Sequence, residues 1–79
     1  MKARITVTLK NGVLDPQGRA IANALHSLGF NNVEGVRQGK LIEVQLKAKD
    51  GASAKGELDA MCRQLLANPV IENYRVELL

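Results

Sequence analysis

The chain has 79 residues and a mass of 8.6 kDa, which predicts one domain spanning residues 1–79, with a modest core and no deep active site. Its hydrophobic share of 46% argues against disorder, and its single cysteine excludes an internal disulfide or a cysteine-rich zinc site. The net charge of +3 is spread without a run of like charges, and aromatic residues, at 3%, are too few for base stacking on nucleic acid. With no secretory leader and no long apolar run, we expect a cytoplasmic protein without membrane contact.

The first half of the chain predicts a strand followed by a helix. Residues 2–10 alternate, with Ile5, Val7 and Leu9 on one side, which is typical of a strand with one buried face. Asn11-Gly12 ends this strand, and Asp15-Pro16 begins a helix, because aspartate caps a helix and proline suits its first position. Gly29 ends the helix, since glycine readily takes positive φ. The predicted apolar stripe is Ile21, Ala24, Leu25 and Leu28.

The second half predicts two strands, a helix and a final strand. Residues 33–37 form a short strand, Gln38-Gly39 a two-residue hairpin turn, and residues 40–49 a longer alternating strand. A helix follows at about residues 52–67, and Asn68-Pro69 ends it. Residues 70–78 form the last strand. The second helix has an apolar stripe of Ala54, Leu58, Met61 and Leu65.

This β-α-β-β-α-β order predicts an α+β fold, a ferredoxin-like sandwich with a four-stranded antiparallel sheet and two helices on one face. The expected strand order is 4-1-3-2. The uncovered sheet face is polar, with Arg4, Thr6, Glu43 and Gln45 among its side chains, and the second strand is a free edge. Because free edges invite pairing and small domains often gain stability by association, we expect a homo-oligomer.

The sequence offers no constellation for catalysis, for a cofactor or for a metal. His26 shares no helix face with a serine, threonine or carboxylate that could complete a relay, and Cys62 lies beside apolar residues in mid-helix. No phosphate-loop or dinucleotide motif occurs. Lys10, Arg37 and Lys40 lie near a glycine loop and a helix N-terminus, a pattern that fits either a weak anion site or strand ends made polar for solubility. The residues alone therefore predict a small non-catalytic module that binds other chains.

Four segments carry a resemblance to a known family. They are VTLKNGVLDPQG (residues 7–18), ALHSLGF (24–30), VRQGK (36–40) and LLANPVIENY (65–74). In order and spacing they resemble the PurS family, the small subunit of phosphoribosylformylglycinamidine synthase. Asn11 stands where proline is more usual, and either residue suits a turn before Gly12.

The resemblance implies a ferredoxin-like subunit that forms homodimers through its sheets or associates further. It implies that a large synthetase subunit, which binds ATP and magnesium, and a glutaminase subunit are its partners. Their complex would amidate formylglycinamide ribonucleotide with ammonia from glutamine. The chain itself would hold no cofactor and no catalytic residue, and would bridge the other two subunits, with a role in ammonia transfer. The residues expected to dock partners are Lys10, Gly12, Asp15, Pro16, Gln17, Gly18, Arg19, His26, Arg37, Gly39 and Lys40.

Two other functions share this predicted topology. ACT-like regulatory modules bind amino acids near the loop after the first strand, where Asn11-Gly12 lies here. They are usually attached to an enzyme. An acylphosphatase-type enzyme would need an arginine-cradled phosphate loop, which the first loop here lacks.

Overall fold

The computed structural model describes residues 1–79 as a three-stranded antiparallel sheet with two helices. Along the chain, the elements are β1 (Lys2–Leu9), α1 (Pro16–Ser27), β2 (Gly39–Gln45), α2 (Gly51–Met61) and β3 (Glu72–Leu78). The strands lie in the order β2-β1-β3, so β1 is the central strand. A π-helical turn, Cys62–Leu66, continues α2.

The core lies between β1 and α2. The alternation predicted for β1 is confirmed, because every second residue points to the same face, with Ala3, Ile5 and Val7 buried and Leu9 partly buried. Ile5 is opposite Ile42 on β2 and opposite Val76 on β3, so these three side chains share the inner face. The buried hydrophobic residues are Ala3, Ile5, Val7, Ala54, Leu58, Cys62 and Ala67.

Both helices begin at an aspartate; the sequence predicted this cap for α1 at Asp15 but not for α2 at Asp50. Asp15 Oδ1 accepts a hydrogen bond from the Gly18 amide at 2.9 Å, and Asp50 Oδ1 accepts one from the Ser53 amide at 2.8 Å. Each carboxylate satisfies an amide that has no partner inside the helix. Gly29 follows α1 with φ +100°, as expected for a residue that ends a helix.

The predicted four-stranded sheet is wrong, because residues 33–37 do not form a strand. They run beside α1 without regular secondary structure, and no strand pairs with them. Gln38-Gly39 is therefore not a hairpin turn. Gly39 already belongs to β2 and is opposite Thr8 of β1. The local pattern suited a strand, but its expected partner, β2, pairs only with β1.

The placement of α1 also differs from the expectation of two helices on one sheet face. None of its side chains packs against the core, and Ile21 and Leu28 are 38% and 73% exposed. The chain is elongated, at 51 × 25 × 14 Å, with a radius of gyration of 16.0 Å. A compact chain of this length would have a radius of gyration of about 12 Å. We refer to α1 and the residues that return from it, residues 16–38, as the arm.

The end of α2 differs from the predicted apolar stripe by one residue. The wider π-helical turn, closed by a hydrogen bond of 2.9 Å from the Ala67 amide to the Cys62 carbonyl, shifts the side chains around the helix axis. Leu66 consequently packs against the core, whereas Leu65 is 83% exposed.

The two halves of the arm are in close contact. A methyl group added at Gly18 would lie 2.3 Å from the Val36 carbonyl oxygen, so only glycine allows the helix and the returning segment to approach this closely. Near the other end, His26 donates a hydrogen bond from Nε2 to the Val33 carbonyl oxygen at 2.7 Å. Because these contacts lie at both ends of the returning segment, they fix it along the helix.

The close approach at Gly18 predicts an unusual response to alanine. Glycine-to-alanine substitution inside a helix normally stabilises it by about 1 kcal/mol. We expect that gain for Gly56→Ala in α2, where an added methyl group meets nothing within 4 Å. Gly18→Ala should instead destabilise the chain, because the Val36 carbonyl must move. Urea unfolding at one fixed protein concentration compares the two variants, and equal stabilisation by both would contradict the close approach.

Candidate functional site

An open cleft of about 510 Å³ lies where the arm leaves the sheet. Its floor is the inner face of the sheet at the end of β1, and one wall is the start of α1. The opposite wall of the cleft is the start of β2. The lining residues are Val7, Leu9, Asp15, Pro16, Gln17, Gln38, Gly39, Lys40 and Glu72.

Asp15 ties the two ends of the arm together at this cleft. While Oδ1 caps α1 through Gly18, Oδ2 accepts a hydrogen bond from the Gln38 amide at 2.9 Å. The hydrogen bonds from Gln38 and Gly18 and the nearby charge of Arg37 hold the pKa of Asp15 below its usual value of 3.8. A lowered folded-state pKa favours the ionised form, so the stabilisation is present at neutral pH. It is lost only as the pH falls below about 3.8 through the folded-state pKa.

Arg37 connects the end of the arm to the loop after β1. Its guanidinium group donates a hydrogen bond to Asn11 Oδ1 at 2.8 Å and another to the Leu9 carbonyl oxygen. We use the term junction for Asn11, Asp15, Gly18, Arg37 and Gln38, the residues that join the arm to the sheet.

Lys40 carries the cleft's more accessible charge. Its ammonium group lies 3.8 Å from Glu72 Oε2, and its side chain is 65% exposed, against 13% for Glu72. The other Glu72 oxygen accepts a hydrogen bond from the Asn68 amide at 2.7 Å. Glu72 is therefore fixed, whereas Lys40 is loosely held and can reach a partner.

The structure gathers about half of the predicted docking residues at the cleft. Five of them line it: Asp15, Pro16, Gln17, Gly39 and Lys40. Gly18 and Arg37 belong to the junction beside it, and Lys10 and Gly12 lie in the loop after β1. Arg19 and His26 lie farther along α1, where His26 serves the arm itself.

Sequence reasoning missed four lining residues. Val7 and Leu9 were assigned to the core, and Gln38 to a turn. Glu72 reaches the cleft through its pairing opposite Leu9 on β1, a register that no local motif indicates.

The cleft has the chemistry of a binding surface. Both oxygens of Asp15 accept backbone hydrogen bonds, so this carboxylate is not free to act as a general base. The same carboxylate takes the place at the start of α1 where an anion would bind, which favours the other interpretation of Lys10, Arg37 and Lys40, as polar strand ends. Cys62 is buried in the core, and burial raises the pKa of its thiol, so it is a poor nucleophile.

No cluster of three or more histidine, cysteine or acidic side chains is placed to hold a metal ion. The helices are too short and too polar to cross a membrane.

Comparison with known proteins assigns the chain to a family. The model of the PurS family, described as phosphoribosylformylglycinamidine (FGAM) synthase, matches residues 2–79. A PurS subunit of this synthase from Synechocystis is 55% identical over 95% of this chain and 75% of its own length. The PurS subunit from Methanocaldococcus jannaschii is 45% identical over 96% and 92% of the two chains.

Solved structures agree with this assignment over the whole chain. The crystal structure of the M. jannaschii PurS has a TM-score of 0.87, over 96% of this chain and 92% of that one. A chain in the structure of PurLQS from Thermotoga maritima has a TM-score of 0.89 at 33% identity, over 99% of this chain and 95% of that one. Because this likeness covers nearly every residue, it includes the arm. The chain therefore belongs to the PurS family, the small subunits of phosphoribosylformylglycinamidine synthase.

Proposed function

We propose that this chain is a non-catalytic docking subunit that holds a large synthetase subunit and a glutaminase subunit together in one enzyme. The observation that carries the proposal is the match to PurS subunits over residues 2–79. It is supported by Asp15 at the cleft, whose two carboxylate oxygens both accept backbone hydrogen bonds. The matching Thermotoga chain comes from a structure of PurLQS, so that relative belongs to a multi-subunit assembly.

The chemistry of the proposed complex is ATP-dependent amidation of formylglycinamide ribonucleotide in purine biosynthesis. ATP and magnesium belong to the large subunit, and ammonia comes from glutamine at the glutaminase subunit. This chain assists by fixing the other two relative to each other, so that ammonia passes between them. An enzyme of this pathway works in the cytoplasm, and we place the chain there.

The cleft and the arm are the proposed docking surface. A rigid surface loses less conformational entropy when it binds, and the junction makes this one rigid. Asp15, Arg37 and Gln38 are all engaged within the chain, so they shape the surface. Lys40, Gln17 and Arg19 are exposed and free to contact a partner. Among the predicted docking residues, those engaged within the chain therefore have a structural role, and the exposed ones have a role in recognition.

An ACT-like regulatory role is less consistent with the cleft, because Asp15 already uses the amides that an amino-acid carboxylate would need. We therefore expect isothermal titration of the isolated chain with glutamine, glycine and other amino acids to give no saturable heat. Saturable binding at micromolar ligand would favour the regulatory function instead.

The central prediction concerns activity with and without the chain. The isolated chain should turn over neither glutamine nor ribonucleotide. Added to the large and glutaminase subunits, it should restore glutamine-dependent amidation, because it brings the ammonia source to the synthetase. Ammonia-dependent amidation serves as the control for an active large subunit. Equal glutamine-dependent rates with and without the chain would contradict the proposal.

Lys40 gives a specific test of the docking surface. Lys40→Glu reverses a loosely held charge at the cleft, and we expect at least a tenfold weaker association with the other subunits, which corresponds to about 1.4 kcal/mol. Lys55→Glu makes the same charge change on an exposed part of α2 and is the matched control. A pull-down followed by titration of synthase activity measures both. Equal association of the two variants would show that the charge of Lys40 serves only solubility.

A further inference from the structure

A turn with an asparagine and a glycine at its centre leads from β1 towards α1. Its four residues are Lys10, Asn11, Gly12 and Val13, and the Val13 amide donates a hydrogen bond to the Lys10 carbonyl oxygen at 3.1 Å. Of the six asparagines in the chain, Asn11 alone precedes a glycine. Both central residues of the turn are exposed, so water reaches the bond between them.

An asparagine that precedes glycine can lose its side-chain amide without an enzyme. The backbone nitrogen of the glycine attacks Cγ of the asparagine, and ammonia leaves as a five-membered imide ring closes. Water then opens the ring at one of its two carbonyl groups, which gives aspartate or isoaspartate. One water is consumed and one ammonia is released, so no oxidant or other reactant is needed. Glycine favours the attack, because it has no side chain in the way and its backbone rotates easily.

The Gly12 nitrogen is available for this attack. Its amide donates no hydrogen bond, so nothing in the fold holds its proton or its orientation. Gly12 has φ +85°, and a methyl group added to its Cα would meet nothing within 4 Å. The peptide bond after Asn11 therefore has room to rotate until the nitrogen reaches the side chain. The rotation breaks only the exposed hydrogen bond that closes the turn, which contributes little in water.

Arg37 lies where the reaction develops negative charge. Its guanidinium group donates a hydrogen bond to Asn11 Oδ1 at 2.8 Å and is also bound to the Leu9 carbonyl oxygen, which keeps it in place. Attack on Cγ turns Oδ1 into an oxyanion, and a cation already bound to that oxygen stabilises it. The side-chain nitrogen of Asn11, which departs as ammonia, makes no hydrogen bond that would retain it.

We propose that Asn11 is a modification site, at which attack by the Gly12 nitrogen converts the side-chain amide to a carboxylate that pairs with Arg37. In the aspartate product, a charged oxygen replaces the neutral acceptor, so the contact becomes a charge-assisted one and tightens the junction. In the isoaspartate product, the backbone runs through the former side chain and the carboxylate is one carbon shorter, so the contact is weaker. This inference does not depend on the proposed function.

Ageing of the natural chain in ¹⁸O-labelled water, followed by digestion in ordinary water and mass spectrometry, tests the reaction. We expect the tryptic peptide of residues 11–19 to gain the mass of an acid that carries one ¹⁸O, because ring opening takes its oxygen from water. The gain should be faster in mildly alkaline than in mildly acidic buffer, since the attacking nitrogen must lose its proton. Asn31 is equally exposed but precedes Asn32, and it should remain unchanged as the internal control.

A synthetic peptide of residues 8–15 sets the timescale, because it has the same sequence without the fold. An unchanged Asn11 in the folded chain after this peptide has reacted completely would overturn the proposal, since the turn would then protect the site. An equal gain at Asn31 would also overturn it. Asn11→Pro should show no gain in this segment, and the turn accepts proline there because Asn11 has negative φ and its amide donates no hydrogen bond.

Asn11→Asp tests the contact with Arg37 in the product. At one fixed protein concentration in low salt, this variant should unfold at a slightly higher urea concentration than the natural chain, because the new ion pair is exposed. The difference should shrink in high salt, where the pair is screened. In the Arg37→Gln background, the same substitution should bring no gain, which a double-mutant cycle measures. An equal gain in both backgrounds, or no gain in either, would overturn the pairing.

Discussion

The hydrogen bonds that Asp15 accepts from Gly18 and Gln38 are the interactions on which the architecture depends. One carboxylate begins α1 and at the same time fixes the point where the arm returns to the sheet. The charge-assisted form of these bonds makes them stronger than neutral ones. With Gly18 packed against Val36, they hold the helix and the returning segment as one unit beside the sheet instead of over it.

That constraint explains why the chain is suited to assembly. A protein of this size buries little surface, and here one of its two helices adds almost nothing to the core. Apolar area that would normally close the fold is left on the outside, at the arm and at β2. A chain built in this way gains stability when other chains cover those surfaces, which agrees with its membership of a family of enzyme subunits.

Local signals in the sequence predicted local structure well. The alternation of β1, the Asp15 cap of α1 and the positive φ of Gly29 are all confirmed, because each depends on residues close together in the chain. Residues 33–37 do not form the strand that their pattern predicts. Their pattern suits a strand, but a strand also needs a partner. The predicted neighbours of β1 are the observed ones, whereas the expected pairing of residues 33–37 with β2 does not form. The stripe of α1 predicted a helix face packed on the sheet, whereas the structure leaves Ile21 and Leu28 exposed.

The residues of the cleft show the same contrast between local and long-range signals. The loop Asp15-Pro16-Gln17 and Lys40 were predicted and do line the cleft. Glu72 was missed because only strand register brings it there. His26 and Arg37 were expected to face a partner, and the structure shows both making hydrogen bonds within the chain, to the Val33 carbonyl and to Asn11. Polar residues identify a candidate surface, and their hydrogen bonds decide which of them remain free for recognition.

The central claim is that the junction holds α1 away from its own sheet. Small-angle X-ray scattering tests it most directly, measured at a dilution where the chain sediments as a single 8.6 kDa species, so that no second copy contributes to the curve. The account predicts an elongated particle with a radius of gyration near the 16.0 Å of the structure. A value near the 12 Å or so of a compact chain of this length would show that α1 folds back onto its own sheet, and would contradict the account.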